Sequence, residues 1–212
     1  MINGIMFDFV TKSNSYNNKC FAMDILEKLR NDSELAEKLK TVCDVEILDE
    51  LKEPDDYDGH LTFNTQGKAF GRDASGSEYI LLDDGTVSYV GSEGQSGRMA
   101  ESIEDFFELV VNCPYWIDCL NKKLYKNTGK LNKKIIELEE ECLEEEYEED
   151  GTSLKEVQRE LAAGLGIELV ENVADILINF YECGNRTPRF IVTFKENDGS
   201  NTHGSGILFN NY

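Results

Sequence analysis

Residues 69–116 read AFGRDASGSEYILLDDGTVSYVGSEGQSGRMAESIEDFFELVVNCPYW, and strand, turn and helix signals follow one another there without a break. Glu78 to Leu82 is a short apolar run of the kind that forms a strand buried on both faces. Asp84-Gly85 supplies the positive-φ turn of a tight hairpin, and Val87 to Val90 returns as the partner strand. A glycine-rich loop, Gly91 to Gly97, then leads towards Ser102, with Asp105 three residues later in capping-box spacing. The helix so opened carries Ile103, Phe106, Phe107, Val110 and Val111 on one face. Cys113-Pro114 ends it, because the residue before proline is pushed out of the helical region.

The same stretch resembles a known family. Phe70-Gly71-Arg72-Asp73, Gly76-x-Glu78-Tyr79, Asp84-Gly85-x-Val87-x-Tyr89 and Ala100-Glu101-Ser102-x-Glu104-x-Phe106-Phe107 stand in an order similar to the later half of the SUKH superfamily. That family includes Smi/Knr-like cell-wall regulators and many bacterial immunity proteins. Where the family carries Leu-Pro-x-x-Tyr and an Asn-Gly-Gly turn upstream, this chain has Pro54-Asp55-Asp56-Tyr57 and Asp58-Gly59. The resemblance implies an α+β fold and a protein-binding role without catalysis. For the bacterial members it implies neutralising a toxin, often a nuclease.

Composition bounds the function independently. The 212 residues carry a formal charge of −21, with 42 acidic against 21 basic side chains. Such a surface repels phosphate backbones, which argues against direct nucleic-acid binding, and it speeds encounter with basic partners. Acidity that merely keeps the protein in solution is the competing explanation. Met1 to Phe7 is too short and lacks the basic flank for a secretion signal, and no run approaches the length of a membrane span. A cytoplasmic location is expected. The 6 cysteines form no Cys-x-x-Cys and only 2 histidines accompany them, so reduced thiols are expected and no metal or cofactor.

Helical spacing runs from Asn18 through Phe21, Ile25, Leu26 and Leu29, and again through Leu35, Leu39 and Val42 behind a cap at Asp32 or Ser33. Val45 to Leu51 fits neither period. Glu53 to Gly59 is a loop, and Leu61-Thr62-Phe63 and Ala69-Phe70 flank a turn as a strand pair. Gly129 is the joint between a SUKH-like part, 1–128, and a part, 129–212, that is either an extension of the sheet or a small second domain. The latter holds helices on Leu131, Ile135, Leu138 and Cys142, on Leu154, Val157, Leu161 and Leu165, and on Val173, Ala174, Leu177 and Phe180. Ser153 with Glu156 starts the second, and Gly164 and Gly166 stop it. Phe190, Val192 and Phe194 then pair with Ile207, Leu208 and Phe209 in a terminal hairpin. The expected fold is α+β, an antiparallel or mixed sheet around residues 60–91 with helices on one side.

Gly91-x-x-Gly94-x-x-Gly97 lacks the Lys-Ser/Thr of a phosphate loop, and Glu93 would oppose a phosphate. No nucleophile elbow, metal spacing or paired His motif points to an enzyme. Arg98 is free to anchor an acidic side chain, its own or a partner's. Tyr115 and Trp116 read either as an aromatic anchor for a partner or, preferably, as a staple holding the helix end to the core. From Glu137 to Asp150, 10 of 14 residues are acidic, either a solvated helix end or a docking surface. The expected partner surface comprises the Asp83–Asp84 turn, Glu93, Glu101, Tyr115, Trp116 and the acids Glu144, Glu145 and Glu146, facing a basic toxin domain. Two alternatives stand beside it: an intracellular adaptor, and a small-molecule site in a pocket beside the sheet.

Overall fold

The computed structural model describes residues 24–56, 59–144, 153–195, 201–203 and 208–209. The fold is α+β. A first helix, α1, covers residues 24–31, and α2 follows at Ser33–Cys43 with Asp32 as its cap, its carboxylate accepting from Leu35 N–H at 3.0 Å. Ile25, Leu26, Leu29, Leu35 and Leu39 are all buried, as their spacing predicts. The strands are β1 Glu46–Lys52, β2 Leu61–Phe63, β3 Gly67–Arg72, β4 Glu78–Leu82, β5 Val87–Val90 and β6 Ser96–Ala100. Then come α3 Ile103–Asn112, a 3₁₀ turn at Trp116–Cys119, α4 Thr128–Glu144, α5 Leu154–Leu165 and α6 Ala174–Asn185. Strands β7 Val192–Lys195 and β8 Asn201–His203 close the described order.

Five strands form one antiparallel sheet in the order β1-β3-β4-β5-β6. Period-2 alternation divides its side chains between two cores. Tyr79, Val87, Tyr89 and Met99 face the helices and join the large cluster built from α1 to α6. Ile80, Leu82 and Val90 face the other way, against Phe190, Val192, Leu61 and Phe63 of a second antiparallel sheet, β2-β7-β8. The helices therefore cover one face of the main sheet, and the small sheet covers the other. Aromatic edges tie the helical face together: Phe106 meets Phe70 edge-on at 5.3 Å, and Trp116 meets Tyr89 at 5.2 Å.

Several expectations change. The glycine-rich segment does not run as a loop to Ser102; it is a tight turn over 91–95, where Gly94 takes φ 88°, followed by β6 paired with β5. Ser-Gly-Arg-Met-Ala carries little apolar signal because one of its faces is lined by Ser96 and Arg98. Val45–Leu51 resolves as β1, an edge strand. Leu61–Phe63 does not pair with Ala69–Phe70: β3 has β1 and β4 on its two edges, so β2 pairs with β7, Leu61 opposite Phe194. The hairpin at the end of the chain pairs β7 with polar Asn201–His203, while Leu208 and Phe209 enter the helical core.

In the C-terminal part, Gly129 lies in the first turn of α4, whose Leu131, Ile135 and Leu138 are buried in the same cluster as α3. The Ser153–Glu156 capping box forms in full, and Gly166 ends α5 at φ 73°. Gly164 instead sits inside α5, where its missing side chain admits Leu35. The helix expected on Val173, Ala174, Leu177 and Phe180 begins at Ala174 and extends to Asn185.

Candidate functional site

Ser102 fixes where α3 starts: its hydroxyl accepts from Asp105 N–H at 3.1 Å. From that cap, Asp105 and Glu108 stand three residues apart on one side of α3, with Glu101 just before it. Opposite them stand Asn179, Glu182 and Cys183 of α6, with Arg186 capping its C-terminal end. Between the two helices lies a groove of about 370 Å³, floored by Met99, Ala100, Leu109, Ile176 and Phe180. Its rim is acidic. Of the described residues lining it, Arg186 alone is basic, and it pairs with Glu101 at one end.

Among the described residues, no salt bridge engages Asp105, Glu108 or Glu182. Burial, then the nearby carboxylates Asp105 and Glu168, hold the Glu108 carboxyl above the usual range. The Cys183 thiol is pushed up to about 12 by burial, with Glu101 adding to the shift. The groove can hold a cation by its rim and an aliphatic stem by its floor, as a long basic side chain requires.

The expected partner surface does not survive as one patch. Asp83 and Asp84 occupy the β4–β5 turn, whereas Glu93 occupies the β5–β6 turn at the opposite end of the sheet. The four residues of β5 separate these ends by about 13 Å. Glu101 follows β6 and returns to the Asp83 end, since Ala100 pairs with Val87.

Asp83 and Glu93 are exposed, but Asp84 is engaged within the chain. It accepts from the Thr86 hydroxyl at 2.7 Å and lies 2.9 Å from Arg98. The acid that Arg98 anchors is thus its own.

Tyr115 and Trp116 are buried, 7% and 3% exposed, and cannot present an exposed anchor. Trp116 lies edge-on between Tyr89 of β5 and Phe180 of α6, which makes it a staple. Glu144 is the last residue of α4, and Glu145 and Glu146 lie outside the described residues.

Sequence reasoning missed Asp105, Glu108, Glu182 and Arg186. The i, i+3 spacing of Asp105 and Glu108 on the solvent side of α3 was a usable signal. Nothing in the sequence brings Glu182 opposite them.

A second polar cluster holds the far end of the sheet. Asp73 accepts from Ser77 N–H at 2.8 Å and from the Ser75 hydroxyl at 2.7 Å, and the Tyr89 hydroxyl donates to it at 3.0 Å. Ser92 N–H donates to Ser77 Oγ at 3.1 Å, joining the β3–β4 and β5–β6 turns. These bonds use Asp73 structurally. Among the described residues no group of His, Cys, Asp and Glu is placed to hold a metal, and no helix is long and apolar enough to cross a membrane. The chain was compared with protein-family models, curated proteins and solved structures, and none matches.

Proposed function

We propose that this chain is a non-catalytic protein-binding domain that occludes a basic partner, and that it acts as an immunity protein against a toxin, a nuclease in particular. The observation that carries the reading is the α3–α6 groove, where Asp105, Glu108 and Glu182 surround an apolar floor without cationic partners of their own among the described residues. Nucleases that grip phosphates present basic clefts, and a protein of charge −21 is drawn to them. The resemblance of residues 70–107 to the SUKH superfamily supplies the partner class. Binding would be steric and electrostatic, within the cytoplasm, with no cofactor and no direct contact to nucleic acid.

The test is rescue. The product of the gene beside this one is expressed in a susceptible strain, with the wild type or with a Glu101→Gln, Asp105→Asn, Glu108→Gln, Glu182→Gln variant. The reading expects a toxic product, rescue by the wild type and loss of rescue by the variant. Full rescue by the variant would remove the groove from the account, and a harmless neighbouring product would shift it to an intracellular adaptor.

A further inference from the structure

At the Glu93 end of the molecule the two sheets diverge around a cleft of about 340 Å³, lined by Leu61, Val90, Val192 and Phe194 with Gly91, Gly94, Ser92 and Ser96. It is distinct from the acidic groove, which shares none of these residues. Ser96 pairs with Val90 across β5 and β6, so both side chains project from the same face of the sheet, towards β2 and β7. Ser96 is 1% exposed, yet its Oγ has no hydrogen-bond partner among the described residues. A buried hydroxyl without a partner is costly to keep, and buried polar groups in folded proteins are nearly always satisfied. Two more orphaned atoms, Ser88 Oγ and Arg98 Nε, continue along the same face, since Ser88 pairs with Arg98.

We infer that this cleft binds a small neutral molecule with an apolar body and one hydrogen-bonding group, which meets the Ser96 hydroxyl. The class follows from the walls. No charged side chain is among the described lining residues, so they would offer an ion no compensation for its lost hydration. The exposed Glu93 in the adjoining turn further disfavours an anion. Phe194, 38% exposed and stacked with His60 at 5.8 Å, adds an aromatic wall to the cleft. Apolar walls with a single placed polar group are the common composition of small-ligand pockets.

The probes are p-cresol, which has the polar group, and toluene, which lacks it. Each is titrated into the full chain and followed by backbone amide NMR shifts. The inference expects saturable shifts at Gly91, Ser92, Ser96 and Val192, with p-cresol about five- to tenfold tighter than toluene. Ser96→Ala should abolish that difference without lowering the melting temperature, because the hydroxyl it removes has no hydrogen-bond partner among the described residues. Absence of saturable shifts at these amides would overturn the inference. So would a p-cresol preference that persists in Ser96→Ala.

Discussion

The guanidinium of Arg98 lies 2.9 Å from the carboxylate of Asp84, and only 3% of the arginine side chain reaches solvent. The pair joins the middle of β6 to the β4–β5 turn across the width of β5. Asp84 is therefore committed to holding the sheet, and reversing its charge would report on folding rather than on binding.

Partial burial by itself would raise the Asp84 carboxyl. The donors from Thr86 and the charge of Arg98 outweigh burial and bring it below the usual range. A lowered carboxylate contributes stability above its unfolded pKa, about 3.9, that is lost as pH falls through the folded value. Asp84→Asn should cost about 2 kcal/mol at pH 7, less than for a fully buried pair because Asp84 is partly solvated. The deficit should shrink below about pH 4, where the wild type loses the same charge. Urea unfolding at several pH values measures it; equal stability at pH 7 would show that the pair contributes nothing.

Two glycines separate close packing from helix chemistry. A Cβ on Gly97 would stand 2.8 Å from Leu208 Cβ, an atom with little freedom to move. Gly97→Ala should destabilise by about 1–3 kcal/mol. A Cβ on Gly164 would meet Leu35 Cδ1 at 2.6 Å, the end of a flexible side chain. Alanine gains about 1 kcal/mol over glycine inside a helix, so Gly164→Ala should fall within about 1 kcal/mol of the wild type. Equal damage from both substitutions would refute the placement of Leu208.

Cys43, Cys113, Cys119 and Cys183 are buried. Burial raises the thiols of Cys43 and Cys119, the latter to about 12. Iodoacetamide at pH 8 should leave Cys43, Cys119 and Cys183 unlabelled in the native protein and label them in urea. Peptide mass spectrometry reads the outcome, and rapid native labelling of any of the three would contradict their burial.

Glu108 links stability to binding in opposite senses. Its carboxyl is raised, so the folded state takes up its proton before the unfolded chain does, and the ionised form is a burden above that folded pKa. The burden lifts as pH falls through the raised value. Glu108→Gln should raise the melting temperature at pH 7, and the gain should vanish by about pH 4. The same substitution should weaken capture of a basic partner. A variant less stable than the wild type at pH 7 would show that Glu108 is engaged favourably.

Elements were legible where apolar period and turn chemistry agreed. The Asp84-Gly85 hairpin, the Ser102 cap and the buried stripe of α3 follow from local signals. Strand β6 was hidden because Ser96 and Arg98 line one face and Gly97 is left bare to admit Leu208. The pairing of β2 with β7 joins Leu61 to Phe194, a relation between distant residues that no local pattern encodes. For the same reason Glu101 could be singled out on its own, whereas the groove it borders needs Glu182 of a helix some eighty residues later and Arg186 at that helix's end.

The most direct test of the proposed role of the acidic groove is the affinity of the purified chain for the product of the gene beside its own, measured at low and moderate salt. The wild type is compared with the Glu101→Gln, Asp105→Asn, Glu108→Gln, Glu182→Gln variant. The account predicts a Kd at least about 30-fold weaker for the variant at low salt, with a shallower dependence on salt. Equal affinities and equal salt dependence, with the variant folded, would contradict it.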